Sequence, residues 1–320
     1  MVRIFAPAHR AWISMIGPDA QEFLHRLTTV HVRALQVGQG EAGCFLSAQG
    51  KIRAHFLLWR YGDQEFGFEI DSGADQGAKQ GLLAIIDQFT FGEKFALKEV
   101  TELECRWLFA DSPEEEQSLL DSVGAGTLET GQTSAIEEEL RLCHHGAREF
   151  GRSMISVWGR PARLAQWIDR LGAQLAPAAE PELEAWRISA LTPAYPYEIN
   201  ENVIPLEAGL TDAIADQKGC YPGQEVIERI VALGAPARRL SLLEGEGPAP
   251  ARGNKIFNLA EPPIEIGVVT SAASTQGGRF VSLAFVRKLQ AKEGTDVRFD
   301  SGASGKITQV APYSTRESTE

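Results

Sequence analysis

The sequence predicts an α+β fold that ends in a small antiparallel β-barrel. Helical and strand-like periodicities are mixed along the first 235 residues. From residue 236, short alternating runs divided by Gly, Pro and Asn recur at hairpin-like intervals, with little helical periodicity. We therefore expect an α+β module over residues 1–235 and a β-barrel domain over residues 236–320.

Helices and strands are expected to alternate in the first module. Pro18 precedes apolar residues that share one helical face, which predicts a helix over residues 18–30. The same spacing predicts helices in ADQGAKQGLLAIIDQF and in RPARLAQWIDRLGAQL, and Gly172 closes the second. The expected strands are a hairpin around Gln49 and Gly50, made by CFLSA and KIRAHFLLW, and the runs FGFEI, KFALKEV and LECRWLFA.

Composition and charge argue against several classes of protein. A formal net charge of −12 and a pI near 5.1 disfavour an open phosphate-binding surface, so direct nucleic-acid binding is not expected. No apolar run approaches the length of a membrane-spanning helix, and the N-terminus lacks the layout of a secretory signal. These features predict a cytoplasmic protein without membrane contacts.

Polar clusters away from the main motif are interpreted as structural. The acidic residues 112–140 are expected to form a solvated helix face and a loop. His144 and His145 are expected to be surface or strand residues, because no Cys or carboxylate pattern accompanies them at metal-ligand spacing. No metal site is predicted.

The segment KGCYPGQEVIER contains the residues most suited to chemistry. An apolar stripe follows it in VIERIVALG, which places Pro222 in the first helical turn and Gly234 at the C-terminal stop. Cys220 would then lie beside a helix N-terminus and two residues from the Lys218 ammonium, which favours a nucleophilic thiolate. From the residues alone, a reactive and a structural role for Cys220 both stay open.

The other residues around this motif have simpler expectations. Glu225 and Arg229 are four residues apart and are expected to pair on the helix surface. A lone cysteine is most often a small buried hydrophobe, and this is the expectation for the remaining cysteines, Cys44, Cys105 and Cys143.

Nearly the whole chain resembles the YgfZ-like folate-binding family of the glycine-cleavage T-protein (aminomethyltransferase) superfamily. KGCYPGQEVIER resembles the signature segment of that family, Lys-Gly-Cys-aromatic-x-Gly-Gln-Glu with an Arg four residues after the Glu. Further segments resemble the family in the same order along the chain, namely IGPDAQEFLHRLTTVHV, CFLSAQGKI, IPLEAGLTDAI, IGVVTSAAST and FVSLAFV.

The resemblance implies a fold, a ligand and a role. The fold is a ring of two interleaved α+β subdomains around a central folate pocket, with a C-terminal barrel, and the ligand is tetrahydrofolate or a one-carbon derivative. The role is that of an accessory protein that supports assembly or repair of iron–sulfur enzymes, its client proteins, and hence tRNA methylthiolation. Cys220 is the implied catalytic residue, and its motif neighbours are Lys218, Gly219, Tyr221, Gly223, Gln224, Glu225 and Arg229.

One departure separates the chain from the aminomethyltransferases that it also resembles. Those enzymes carry an Asp pair in the strand after the first hairpin, where this chain has Arg53, Ala54 and His55. Without that acid, the usual aminomethyl transfer lacks its expected proton-handling residue. A folate-dependent aminomethyltransferase or methyltransferase stays open as an alternative, with its acid supplied by Asp71 or Glu69.

A second departure concerns folate. Many relatives have a Glu that bonds the pterin, whereas the corresponding residue here is Ser189, whose hydroxyl can accept a single hydrogen bond. Trp186 can either stack on a pterin or bury its ring in a helix contact. Glu207 can supply the missing carboxylate, although a solvated loop acid is the simpler expectation. A non-catalytic binding module that has lost its folate is therefore the second alternative.

Overall fold

Two sheets, a closed barrel and six α-helices make up residues 1–137 and 139–313, which are the residues that this computed structural model describes. These elements fall into two units, and each unit is assembled from three separate stretches of the chain. Unit 1 comprises residues 1–46, 53–179 and 213–222. Unit 2 comprises residues 47–52, 180–212 and the described residues from Gly223 onward. The domain division at residues 235 and 236 stays a prediction.

Unit 1 contains both sheets. The six-stranded sheet has the order β11 (Leu175–Pro177), β1 (Val2–Phe5), β7 (Glu104–Ala110), β10 (Ser153–Gly159), β9 (Leu140–Gly146), β8 (Thr133–Glu137). The five-stranded sheet has the order β3 (Gly40–Leu46), β4 (Ile52–Gly62), β5 (Glu65–Asp71), β2 (Arg10–Ile16), β6 (Ala96–Glu99). The predicted hairpin is present: β3 and β4 are neighbours, and Gly50 turns the chain between them with a φ of +72°.

Four helices belong to unit 1: α1 (Ala20–Leu27), α2 (Gly77–Phe89), α3 (Pro113–Ser122) and α4 (Pro161–Leu171). The helices predicted in ADQGAKQGLLAIIDQF and RPARLAQWIDRLGAQL are confirmed as α2 and α4. Gly172 caps α4 as expected. The prediction of a helix over residues 18–30 is wrong at its C-terminal end. Thr28 is extended and forms a bridge to Phe45, and Thr29 donates its N–H to the carbonyl of Cys44, because these β-branched residues pair with β3.

The acidic stretch 112–140 contains one more element than predicted. Its first half is α3, where Ser112 caps the helix by accepting a hydrogen bond from the N–H of Glu115. The second half contributes strand β8, which pairs antiparallel with β9.

Unit 2 contains the barrel and two helices, α5 (Glu180–Ser189) and α6 (Gln224–Leu233). The barrel closes through the strands β12 (Arg238–Glu246), β15 (Arg279–Arg287), β14 (Glu265–Thr275), β13 (Lys255–Phe257), β16 (Asp296–Phe299) and β17 (Ser304–Val310). Alternate side chains fill its interior, among them Leu243, Val269 and Phe280. The predicted α+β fold with a C-terminal antiparallel barrel is confirmed.

Candidate functional site

Cys220 is the solvent-exposed cysteine of the chain. The other three are buried, as the sequence predicts: Cys44, Cys105 and Cys143. Burial raises the pKa of the Cys105 and Cys143 thiols, which keeps both protonated at neutral pH. All four thiols are free, so Cys220 is the sulfur that a solvent-borne reagent or a partner can reach.

Lys218 is held in a defined place in unit 1. Its side chain is 4% exposed, and its Nζ donates a hydrogen bond of 2.5 Å to the carbonyl of His25. The same Nζ lies 5.0 Å from the centroid of the Tyr221 ring. Burial and then Arg33 lower the pKa of Lys218 to about 8, and Cys220 acts in the opposite direction. The amine is therefore mostly an ammonium at pH 7, fixed two residues before the sulfur. Its effect on the Cys220 thiol stays a prediction.

The two glycines of the motif are required by the backbone for different reasons. Gly219 has a φ of +96°, with open space around the position of a Cβ. Gly223 has a φ of +83°, and a Cβ there would lie 2.5 Å from the carbonyl oxygen of Ser47 and 2.9 Å from Cα of Gly50. Gly223 is thus the point in unit 2 where the turn of the first hairpin approaches the start of α6.

Two predictions about α6 are wrong. Pro222 is not in the first helical turn, because Gly223 is the left-handed N-cap and the helix begins at Gln224. Within the described part of the chain, Glu225 and Arg229 form no ion pair, and the pairing on this surface is between Gln224 Nε2 and Glu228 Oε1, at 2.6 Å. The predicted stop is confirmed, since Gly234 caps the helix with a φ of +97°.

Trp186 and Ser189 lie one turn apart on α5. Trp186 is half-buried and Ser189 is exposed at the last helical position. Residues three apart on a helix share a face, so an indole ring and a hydroxyl are presented together.

Glu207 is not the solvated loop acid that the sequence suggests. It is 6% exposed, and its two carboxylate oxygens lie 3.2 and 3.3 Å from the guanidinium of Arg238. It also accepts a hydrogen bond from the N–H of Ile204, at 3.1 Å. Through these contacts the Glu207 carboxylate holds its loop against the first barrel strand. A role for Glu207 in binding folate stays a prediction.

A buried ion pair beside α5 has no counterpart among the sequence-based predictions. Glu198 is fully buried, and its Oε2 lies 3.4 Å from Nη1 of Arg187. Ser271 on β14 donates to Glu198 Oε1 at 2.7 Å and accepts from Arg187 Nη2 at 2.7 Å. The pair fixes α5, and hence Trp186 and Ser189, relative to the barrel. No local pattern reveals it, because its three members are 11 and 73 residues apart.

Glu69 lies at the centre of a second buried network, in unit 1. Its Oε2 accepts hydrogen bonds from Trp59 Nε1 at 3.1 Å and from Ser156 Oγ at 3.2 Å, and it lies 3.4 Å from His145 Nε2. Burial acts to raise the pKa of Glu69, but His145 and Arg10 outweigh it and lower the pKa. Glu69 is thus a structural acid that is ionised at neutral pH. Asp71, the other candidate acid, accepts a hydrogen bond from the N–H of Gly73.

His144 and His145 lie on β9 and are both 2% exposed, so the strand expectation is confirmed and the surface one is wrong. Their rings are engaged with protein groups: His144 Nδ1 lies 3.2 Å from the Leu128 carbonyl, and His145 Nε2 lies 2.8 Å from Ser156 Oγ. Of the residues that the structure describes, none form a group of three or more His, Cys, Asp or Glu that could hold a metal ion.

No protein-family model matches the chain. It is nevertheless similar to three kinds of curated protein: a putative transferase, aminomethyltransferases and YgfZ proteins. It is 24% identical to a putative chloroplastic transferase of Arabidopsis thaliana, over 97% of the chain and 71% of that protein. It is 28% identical to an aminomethyltransferase of Rubrobacter xylanophilus, over 88% of the chain and 75% of that enzyme. It is 24% identical to the tRNA-modifying protein YgfZ of Pectobacterium carotovorum, over 95% of the chain and 89% of that protein.

A solved structure has the same fold. The glycine cleavage system aminomethyltransferase T of Bartonella henselae superposes with a TM-score of 0.83 at 19% identity, over 96% of this chain and 85% of that one. The T-protein-like fold that the sequence predicts is therefore confirmed. Across residues 1–137 and 139–313, no helix combines the length and the apolar character that crossing a bilayer requires.

Proposed function

We propose that this chain, a member of the superfamily of the aminomethyltransferases and the YgfZ proteins, is a folate-binding accessory protein of the YgfZ kind. In this role it supports assembly or repair of iron–sulfur enzymes and hence tRNA methylthiolation. The observation that carries the proposal is the complete signature around Cys220, whose sulfur is exposed while every other thiol is buried.

The site residues have distinct parts in this proposal. Cys220 is the reactive group, either redox-active or transiently bonded to a partner or to a folate-derived carbon unit. Lys218 supplies a fixed positive charge two residues away, and Gly219 and Gly223 allow the backbone turns that expose the sulfur. The exposed polar side chains of the motif, Glu225 and Arg229, are available to a partner protein.

Two observations favour this role over that of an aminomethyltransferase. Arg53, Ala54 and His55 replace the acid strand of those enzymes. The substitute acid Glu69 is 1% exposed, and its carboxylate is committed to Trp59, Ser156 and the nearby cations. A general base has to reach the proton that it removes, and a carboxylate held in this way does not.

Tetrahydrofolate or a one-carbon derivative is the proposed ligand, and the residues fit it in part. Trp186 and Ser189 offer a stacking ring and a hydrogen-bonding group on one helix face. Glu207 already accepts hydrogen bonds from Arg238 and the Ile204 N–H, so the proposal places the ligand beside Trp186 and Ser189, and direct bonding to Glu207 stays a prediction. The bound folate would supply one-carbon chemistry, and the protein groups would position it.

The proposed role is tested by deleting the gene in its host and restoring it. We expect the deletion to lower methylthiolated tRNA and the activity of iron–sulfur enzymes, with recovery on restoring the gene. Unchanged tRNA methylthiolation in the deletion strain would remove the basis for the proposal.

Folate binding is tested by titrating the full chain with tetrahydrofolate while tryptophan fluorescence is recorded. Saturable quenching is expected, and it should be reduced in Trp186→Phe but not in Trp107→Phe, a buried tryptophan of unit 1. Absence of a saturable change in the natural protein, checked by calorimetry, would favour a binding module that has lost its folate.

The transferase alternative has its own readout. Turnover of tetrahydrofolate with an aminomethyl donor, abolished by Asp71→Asn, would establish that alternative in place of the accessory role. We expect no turnover above the uncatalysed rate.

A further inference from the structure

A cavity of about 350 Å³ in unit 1 is lined by none of the residues of the Cys220 segment. Both sheets of the unit contribute to it: Trp12 comes from β2, Tyr61 from β4, Arg141 from β9 and Trp158 from β10. Its volume lies at the lower end of the range for small-molecule sites, about 300–1,000 Å³. The cavity is therefore large enough for one or two fused rings.

Three aromatic side chains form a fixed wall of the cavity. The ring centroids of Trp12 and Trp158 are 5.4 Å apart, and those of Trp12 and Tyr61 are 6.1 Å apart. Both indoles are buried, and the Tyr61 hydroxyl is hydrogen-bonded to Ser14 Oγ at 2.7 Å. Trp12 and Trp158 are 5% and 2% exposed, so they back the wall and hold it in place, and the half-buried Tyr61 presents its accessible ring surface to a flat ligand.

Arg141 gives this wall a charged end. Its guanidinium carbon lies 4.8 Å from the centroid of the Tyr61 ring, and its Nη1 donates to Thr133 Oγ1 at 3.4 Å. In the part of the chain that the structure describes, Arg141 has no carboxylate partner. The planar guanidinium is thus half-buried with a positive charge that the described residues leave uncompensated.

The acidic side chains in the lining already have cationic partners. The pairs and their N to O distances are Lys98 with Glu102 at 2.6 Å, Arg170 with Glu137 at 2.6 Å, and Arg160 with Glu139 at 3.1 Å. These pairs neutralise the rim, so the charge that a ligand would meet beside the aromatic wall is that of Arg141.

We propose that this cavity binds a small planar aromatic carboxylate. Its ring packs against the aromatic wall where Tyr61 is accessible, and its carboxylate accepts hydrogen bonds from Arg141. A guanidinium matches the two oxygens of a carboxylate, which gives both affinity and orientation. The site is separate from the Cys220 chemistry and does not depend on the proposed accessory role.

Calorimetric titration of the full chain with 2-naphthoate tests the proposal. We expect saturable binding with one site per chain. Two control compounds separate the contributions, since 2-naphthalenemethanol keeps the ring without the charge and acetate keeps the charge without the ring. Each is expected to bind at least about tenfold more weakly, as for the loss of a charge-assisted hydrogen bond or of ring packing. No saturable binding of 2-naphthoate, or equal binding of the alcohol, would overturn the proposal.

A matched pair of variants locates the site. Arg141→Gln should weaken 2-naphthoate binding at least about tenfold. Arg106→Gln removes the same charge from the same sheet, at a residue that pairs with Glu104 outside the lining, and should leave binding unchanged. Equal affinities of the natural protein and Arg141→Gln would exclude this cavity. If Arg141→Gln does not fold, Arg141→Lys keeps the charge, and the same loss is expected because the two-point contact is missing.

Discussion

At the scale of single residues, exposure distinguishes Cys220 from the other thiols. Cys44 and Cys143 have no exposed surface, and Cys105 is 5% exposed, so all three sulfurs are shielded. Burial also raises the pKa of the Cys105 and Cys143 thiols, which keeps these two protonated at neutral pH. Cys220 lies in an irregular segment, with a left-handed glycine directly before it and the fixed Lys218 amine two residues away. Accessibility and a nearby positive charge are the two conditions that make a cysteine reactive.

Labelling with iodoacetamide at pH 7 should therefore modify one position. We expect mass spectrometry to find the adduct on Cys220, formed faster than on a small free thiol such as N-acetylcysteine. Lys218→Gln, which can still donate to the His25 carbonyl, should slow the reaction several-fold because it removes the charge. A rate on Cys220 no greater than that of the free thiol would refute the activated-thiolate hypothesis.

At the scale of elements, the turn of the first hairpin determines how the Cys220 motif ends. Gly50 carries a φ of +72°, and a Cβ on it would meet the side chain of Val226 at 3.1 Å. Gly223 faces the same turn, with backbone atoms of Ser47 and Gly50 within 3.0 Å of a Cβ position. The hairpin turn and the start of α6 therefore approach each other closely only because each has a glycine at the contact, Gly50 in the turn and Gly223 before the helix.

The two motif glycines should differ in their tolerance of a side chain. Gly219→Ala introduces a strained backbone alone and should lower the free energy of unfolding by about 1 kcal/mol. Gly223→Ala adds a clash with backbone atoms that cannot rotate away, and should cost about 2–4 kcal/mol. Urea denaturation of the two variants compares them directly, and equal losses would show that the close approach is not maintained in solution.

The sequence predicts elements well where the pattern is local. The barrel strands alternate with a period of two, and Gly172 and Gly234 end their helices as expected. The start of α6 could not be predicted, because the conformation of Gly223 depends on a turn more than 170 residues earlier. The same holds for Glu207, whose burial depends on Arg238, 31 residues later.

At the scale of the whole molecule, unit 1 is joined internally by a charge network between its two sheets, which is buried except at the partly exposed Glu149. Arg10 on β2 and Glu69 on β5 face His145 on β9 and Glu149 just beyond it. His145 Nδ1 lies 3.2 Å from Glu149 Oε1, and Arg10 Nη2 lies 2.5 Å from Glu149 Oε2. Two cations and two carboxylates balance, so the network is stable as long as all four are ionised.

This network predicts how stability depends on pH. Burial acts to lower the pKa of His145, but Glu69 and Glu149 outweigh it and raise the pKa to about 9, above the ordinary value of 6.5. The stabilisation is therefore fully present below pH 6.5 and is lost as the pH rises through 9. Burial likewise acts to raise the pKa of Glu149, but Arg10 and His145 lower it to about 2, so its contribution is lost as the pH falls through 2.

Denaturation curves between pH 6 and pH 8, a range that ends where Lys218 begins to contribute with the opposite sign, test the role of His145. The free energy of unfolding should fall across this range in the natural protein, and His145→Gln should cost about 3–5 kcal/mol at pH 6 and remove most of the slope. His144→Gln changes the adjacent buried histidine and should keep the slope. A slope that survives in His145→Gln would assign the pH dependence to another group.

The central claim, that this protein acts through Cys220, is tested most directly by complementation. A deletion strain is supplied with the natural gene, with Cys220→Ala, or with Asp216→Asn, an exposed residue two positions before Lys218, at matched protein levels. Methylthiolated tRNA is then quantified by mass spectrometry. We expect recovery with the natural gene and with Asp216→Asn, and little or none with Cys220→Ala. Equal recovery with Cys220→Ala would contradict the claim.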